Sequence, residues 1–392
     1  MLITLTGKLS PTPEQHQILL ETIKTINAAS NWLSPIVREK RTVNKIALQK
    51  VVYQELKERF NLPAQYAVRI IARVCNAYKA LPKKSRFDKT VEFFELSAID
   101  LDQRLLAFKG IDRISLATIK GRIVVPIIFG RYFLSRIGFR RGHAKLIYRR
   151  DINAFFIAVA ADVPEEALIE PKGWLGVDVG IANIATDSLG NLYGGQELIE
   201  KREHMKELRR QLQRKKAQKR RLGKSDRSLR RALKRLSKRL RNYTRTVMHT
   251  IAKRIVSDAK ALALGIALED LKGIGARTTV RVRRDERYQH NLWAYRLLHQ
   301  NIAYKARLNG VPVVLVDARY SSQTCPECGF RHRKNRTSQS EFRCHQCGYS
   351  AHADFVAALN ISLRARAVVS QPQMLGGFHP YTGKPSASAD GS

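Results

Sequence analysis

Apolar and polar residues alternate over positions 1–8, the period of a half-buried strand. Pro11-Thr-Pro-Glu-Gln15 then changes the pattern. Thr12 stands as an N-cap, Pro13 at the first helical position and Gln15 three residues after the cap, as in a capping box. Helical spacing continues through Ile18, Leu19, Ile23, Ile26 and Trp32, and the same period predicts helices near 43–60 and 63–81. From Val91 the period returns to two. Strands are expected at 91–98, 104–109, 113–118, 122–129, 144–149 and 154–162. Strand 1–8 can join these across the helices, which gives a small β-barrel interrupted by a helical domain.

Pro164 and Pro171 mark a boundary. Beyond them, strands are expected at 174–180, 182–187 and 191–194, with a turn at Ser188-Leu-Gly-Asn191. Residues 196–263 have helical composition. Leu208 and Leu212 lie on one arm, and Leu229, Leu233, Leu236 and Leu240 on the other at heptad spacing. Gly223-Lys-Ser-Asp226 reads as their turn, with Gly223 ending one helix and Ser225 capping the next. A strand at 263–269, a glycine loop at Gly273-Ile-Gly275, a helix at about 286–309 and a buried strand at 311–317 complete an α/β layer. The whole is a multidomain α+β chain.

Composition adds a partner. The 392 residues include 71 Lys and Arg against 33 acids, a formal charge of +38. Such an excess opposes a compact state unless a polyanion neutralises it, and nucleic acid is the natural one. The two long arms concentrate that charge, in Arg209, Arg210, Arg214 and Lys215 and again in Arg230, Arg231, Lys234 and Arg235. A charge run is usually a solvated face, but almost no acids balance this one, and like charges repel along a helix. Phosphate contact is therefore expected here and at the patch Arg277, Arg281, Arg283 and Arg284. No apolar run approaches the roughly 20 residues of a membrane span, and residues 1–4 do not resemble a signal peptide. A cytoplasmic protein associated with the nucleoid is expected.

Four of the five cysteines form two Cys-x-x-Cys pairs, Cys325/Cys328 and Cys344/Cys347, fifteen residues apart. Knuckles at that spacing gather four thiolates around one structural zinc, with no open position for chemistry. Gly329 and Gly348 follow the second cysteine of each knuckle. Cys75 sits in an apolar helical pattern and reads as core. His332, His345 and His352 lie nearby, and Arg331, Arg333, Lys334, Arg336 and Arg343 make the ribbon basic.

Three acids sit where acids are costly. Asp178 interrupts the apolar run 174–181, Glu269 ends the run 263–269, and Asp354 opens the helical segment 355–361. Each alone could be a cap or a hydrogen-bonded core residue, whereas three together suggest a carboxylate cluster for divalent metal.

These segments resemble a known family. Gly176-Val-Asp-Val-Gly-Ile181, Leu268-Glu-Asp-Leu-Lys272, Tyr320-Ser-Ser-Gln-Thr-Cys-Pro-Glu-Cys-Gly329, Cys344-His-Gln-Cys-Gly348 and Ala357-Ala-Leu-Asn-Ile361 are similar to those of TnpB. TnpB proteins are transposon-encoded RNA-guided nucleases related to the type V CRISPR effectors. The resemblance implies a RuvC-type, RNase H-like nuclease domain at 171–319 and 351–370, with Asp178, Glu269 and Asp354 as its catalytic acids. It implies a wedge barrel at 1–10 and 85–170, a recognition domain at 11–84, and a zinc ribbon at 320–350 that contacts the target. Residues 371–392 are expected to be a disordered tail. A guide RNA from the transposon end and double-stranded target DNA beside a short adjacent motif are the implied partners. Val356 and His352 depart from the family, which commonly has Asn and an acid there.

Oxygen ligands favour Mg2+ or Mn2+, and two ions roughly 3.5–4 Å apart would activate water and stabilise the leaving oxygen. Asp178 would bridge them, with Glu269 and Asp354 holding one side each. Asp187, Asp270 and Asp317 are weaker candidates. A nuclease-inactive RNA-guided repressor would be expected to lose an acid, and a DNA-joining transposase would share the same metal chemistry.

Overall fold

The structure is a computed structural model that describes residues 1–180, 183–270, 295–317, 319–338 and 340–370. The chain divides into two compact units after Pro164.

The first unit begins with strand β1 (Leu2–Leu9), followed by helices α1 (Pro13–Glu39), α2 (Lys45–Arg59) and α3 (Ala64–Lys79). The capping box forms as the sequence predicts. Thr12 accepts from the backbone of Gln15, and the Gln15 side chain accepts from the backbone of Thr12. Strands β2 (Ile99–Leu101), β3 (Leu106–Lys109), β4 (Arg113–Thr118) and β5 (Gly121–Ile128) come next. A short helix α4 (Arg131–Leu134) leads to β6 (Arg140–Arg149) and β7 (Ala154–Asp162). All seven strands form one nearly closed antiparallel sheet, in the order β2-β6-β7-β1-β5-β4-β3. β1 pairs with both β7 and β5, so the first strand does join the later ones across the helices.

The expected strand at 91–98 does not form. Its backbone is taken up by α1 instead: Ser34 donates to Val91 O at 2.6 Å, Asn31 and Phe93 exchange two bonds, and Asn27 donates to Glu95 O and Ser97 O. With those groups satisfied, pairing with a neighbouring strand offers no gain.

The second unit is built on strands β8 (Trp174–Asp178), β9 (Asn183–Asp187), β10 (Leu192–Gly194), β11 (Gly265–Glu269) and β12 (Val313–Val316). The sheet order is β10-β9-β8-β11-β12, antiparallel from β10 to β8 and parallel from β8 to β12. Helices α5 (Gln196–Arg221), α6 (Arg227–Ala261), α7 (Tyr295–Leu308) and α8 (Ala353–Ser370) accompany it, with the ribbon strands β13 (Glu341–Arg343) and β14 (Ser350–His352).

Strand alternation sorts this sheet into two faces. Leu175, Val177, Ile266 and Leu268 pack with Met248 and Ile255 of α6 and Leu298 and Ile302 of α7. Trp174, Ala267, Val314 and Val316 pack with Ile361 and Ala365 of α8. The result is a three-layer α/β/α sandwich. Gly176 allows its closest approach, because a Cβ there would fall on the carbonyl oxygen of Ala358 and 2.6 Å from Ser362 N. Ser362 fastens the contact by donating to Trp174 O at 2.5 Å.

Between α5 and α6, Gly223 adopts φ +62° and Lys224 N reaches back to Lys219 O, so the glycine ends α5 as expected. Ser225 is not the cap. Asp226 occupies the cap position without a side-chain cap bond and instead holds Arg220 and Arg230 at 3.3 and 2.8 Å. The glycine loop 273–275, the first part of the helix expected at 286–309 and the tail 371–392 lie outside the described residues.

Candidate functional site

The two faces of the sheet fix where the acids point. Asp178 follows Trp174 and Gly176 in alternation, and Glu269 follows Gly265 and Ala267, so both belong to the α8 face. β8 and β11 are parallel with Ala267 opposite Gly176 and Leu268 opposite Val177. One further step along that register sets Glu269 beside Asp178 at the ends of neighbouring strands. Asp354 lies in the first turn of α8, the helix that covers this face. The three elements that carry the acids therefore converge at one corner of the second unit.

The electrostatics agree with that convergence. Burial pushes the Asp178 carboxyl well above its ordinary range, and the charges of Glu269 and Asp354 push it the same way against Arg336. Burial likewise raises Glu269 to about 7, with Asp317 adding to the effect and Ser321 and Arg364 opposing it. Acids crowded together and only partly offset by Arg336 and Arg364 suit a cation. The three carboxylates do not close into one tight ligand sphere, since no set of three acids or histidines among the described residues comes within 4.8 Å.

Several neighbours fix the acids. Ser321 donates to Glu269 Oε1 at 3.3 Å, and Asn183 donates to Asp354 Oδ2 at 3.4 Å. The Arg336 guanidinium lies 3.8 Å from Asp354 Oδ1. Arg364 donates to Asp317 O. Sequence reasoning assigned none of these four side chains a part in the site. A signal existed for another residue nearby: Asn360 is a buried amide within the apolar stretch 357–361. The weaker acids have other work. Asp187 is fully buried and accepts from Leu189 N, Asn191 N, Asn191 Nδ2 and Tyr193 OH, which makes it the organiser of the β9–β10 turn. Asp317 is largely exposed and pairs with Arg319.

Both departures from the family have local explanations. His352 Nδ1 accepts from Asp354 N and so caps α8. Val356 is fully buried with Ala353 against Phe342, Cys325 and Cys344, and so helps dock the ribbon.

The four ribbon cysteines form the second site. Their sulfurs all lie within 4.8 Å of one another, with Cys325–Cys347 and Cys328–Cys344 both at 3.6 Å. Thiolates about 2.3 Å from a tetrahedral zinc stand about 3.8 Å apart, so the cluster fits such an ion. Against its burial, backbone N–H groups of Cys347 and Gln346 and the sulfurs of Cys328 and Cys347 bring Cys344 down to about 6. Cys75 is buried core, as its pattern suggests. His332 and His345 bond to the backbone of Lys334.

The third feature is the α5–α6 hairpin. Arg209, Arg210, Arg214, Lys215, Arg230, Arg231, Lys234 and Arg235 are all exposed, while Leu240 is buried and Leu208, Leu212, Leu229, Leu233 and Leu236 are half-buried. Among the expected contacts, Arg210 pairs with Glu207 and Arg230 with Asp226. Arg277, Arg281, Arg283 and Arg284 lie outside the described residues. No described helix is long and apolar enough to cross a membrane.

Comparison with known proteins finds two matching stretches of the chain. Residues 156–272 match the OrfB_IS605 family model, described as "Probable transposase", and residues 295–361 match the Cas12f1-like TNB domain. A CRISPR-associated endodeoxyribonuclease Cas12f1 of Sulfoacidibacillus thermotolerans is 40% identical over 118 residues, 29% of this chain and 26% of that protein. InsQ of Escherichia coli strain K12, which carries the name of an RNA-guided DNA endonuclease, is 28% identical over 65% of this chain and 67% of its own length. A TnpB-like protein of Methanocaldococcus jannaschii is 30% identical over 31% of this chain and 43% of its length. The Cas12f1–sgRNA–target DNA complex, solved by cryo-EM, shares the fold, with TM-score 0.59 and 15% identity over 90% of this chain and 83% of that one. Among the curated relatives, the matched stretch of the Cas12f1 protein is thus about a quarter of its length.

Proposed function

We propose that this chain, which is similar to TnpB and Cas12f proteins, is an RNA-guided DNA endonuclease encoded by a transposon. Its guide would be an RNA from the transposon end, and its substrate double-stranded DNA beside a short adjacent motif. One observation carries the catalytic part of this reading: Asp178 and Glu269 end neighbouring parallel strands on the face covered by α8, whose first turn holds Asp354.

The five-stranded sheet, antiparallel through its first three strands and parallel in the last two, supports an RNase H-like, RuvC-type nuclease domain. Asp178, Glu269 and Asp354 would hold Mg2+ or Mn2+, which when bound supplies an activated water and charge stabilisation for phosphodiester hydrolysis. The chain's own part is preparation. It crowds a half-buried Asp178 against Asp354 and a buried Glu269, a repulsion that a cation relieves, and it aims Glu269 with Ser321 and Asp354 with Asn183. Arg336 adds a positive group beside Asp354, suited to a phosphate.

The ribbon would hold one structural Zn2+ and face target nucleic acid. In the first unit, the nearly closed sheet corresponds to the wedge and the three helices to the recognition domain. The exposed hairpin arms would follow the phosphates of guide or target. Work on a guide and target inside the cell fits a cytoplasmic protein of a prokaryote.

Asp178→Ala, Glu269→Ala and Asp354→Ala should each abolish metal-dependent cleavage while leaving RNA and target binding nearly intact. Full cutting by any one of them, at equal folded concentration, removes that residue from the site. A DNA-joining transposase is the second reading, favoured by the OrfB_IS605 description. It predicts strand joining without a guide, where hydrolysis here should require one.

A further inference from the structure

The ribbon and the carboxylate site are joined by a relay of two residues outside the metal ligands. Asn360 lies on α8 two turns after Asp354 and is 5% exposed. Its Nδ2 donates to Ser321 O at 2.7 Å and to Thr324 O at 2.8 Å, clamping the segment that leads into the first cysteine knuckle. Ser321 is also 5% exposed, and its hydroxyl is the group that donates to Glu269 Oε1. Val356, one turn before Asn360, packs into the ribbon core with Phe342. One stripe of α8 thus grips the ribbon, while Ala358, Ile361 and Ser362 grip the sheet.

We propose that Asn360 is a positioning residue for the carboxylate site: by holding Ser321 and Thr324 it sets the ribbon entry where the Ser321 hydroxyl meets Glu269. The 3.3 Å contact is long for a hydroxyl donating to a carboxylate. A small retreat of the backbone at 321 therefore breaks it. Both of Asn360's amide hydrogens are committed to carbonyls, in one buried and one half-buried bond, so truncation leaves these acceptors without their partner and frees the segment to shift. Loss of such an outer partner typically weakens metal binding by about 10- to 100-fold. This inference rests on the reading of Glu269 as a metal ligand.

The test uses the full chain with its copurified RNA, loaded with zinc, and follows Mn2+ binding by the EPR signal of the free ion. Ser321→Ala and Asn360→Ala should each weaken Mn2+ binding by about 10-fold or more, with the zinc content unchanged. Cleavage by both should recover at high Mn2+. Ser321→Thr, which keeps a hydroxyl, should bind Mn2+ nearly as the parent does. Because Asn360 is argued to act through Ser321, the double variant should bind no more weakly than the worse single one. Parental Mn2+ affinity in folded Asn360→Ala, or additive losses in the double variant, would overturn the proposal. Should Asn360→Ala not fold, Ser321→Ala decides alone, since it deletes only the hydroxyl that meets Glu269: parental affinity there overturns the relay. Glu269→Gln separates this from the underlying reading. Undiminished Mn2+ binding and cutting by that variant removes Glu269 from the metal site altogether.

Discussion

Glu269 is the residue whose environment makes the most direct claim. Its carboxyl is raised from the usual 4.5 to about 7, first by burial. Between those values the folded chain holds a proton that the unfolded chain has released. Its contribution to stability is therefore present at low pH and is lost as pH rises through 7. Metal binding runs the other way, because it needs the ionised acid. Mn2+ affinity should accordingly rise between pH 6 and pH 8, with Mn2+ raising the melting temperature more at pH 8 than at pH 6. A calorimetric titration at both pH values checks this, and equal affinities would contradict a Glu269 that is both raised by burial and a metal ligand. The sequence singles out Asp178, Glu269 and Asp354 because an acid within or at the end of an apolar run is costly to bury, and the structure sets them on three converging elements. It does not single out their supports. Ser321, Asn183 and Arg336 stand in polar surroundings, where nothing in the pattern separates a side chain aimed at an acid from one aimed at water.

At the scale of elements, α8 decides the geometry. Its backbone rests against β8 at Gly176, so Gly176→Val would drive the helix off the sheet. Overpacking of this kind typically costs about 1–3 kcal/mol, and here it also displaces Asp354. Thermal unfolding should show a lower midpoint together with lost cleavage, whereas a parental midpoint would contradict the close packing. The hairpin arms allow a test by charge. Arg230 holds the buried Asp226, so Arg214, Arg231, Lys234 and Arg235 are the better set to replace with Gln. If they lie on phosphates, the slope of log affinity against log salt should become shallower by up to about four units, with sequence preference kept. An unchanged slope for both guide RNA and target duplex would assign the phosphate contacts elsewhere. Most elements were readable from periodicity, down to the Thr12–Gln15 capping box. The failure at 91–98 is instructive. Alternation there is real, yet Asn27, Asn31 and Ser34 of α1 satisfy the backbone first. Only the three-dimensional position of a helix some sixty residues earlier reveals it.

The whole molecule combines a chain of charge +38 with a four-cysteine cluster that could hold a metal ion and a proposed carboxylate site. For the ribbon, elemental analysis of protein purified without chelator should find about one zinc per chain. Cys325→Ser with Cys328→Ser should unfold 320–350, visible as fast amide exchange, because metal binding supplies much of the folding free energy of such small units. Protection unchanged in that variant would contradict a structural zinc. A charge of +38 favours a polyanion, which we propose is a guide RNA. The most direct measurement is therefore to sequence the RNA that copurifies with the protein. The purified complex is then incubated with Mg2+ and with duplexes that match or do not match that RNA. One RNA species should be found, ending in a segment that dictates the cut, with cleavage of the matching duplex by the parent protein and none by Asp178→Ala. Cutting that is indifferent to the RNA sequence, or that persists after the RNA is removed, would contradict that proposal.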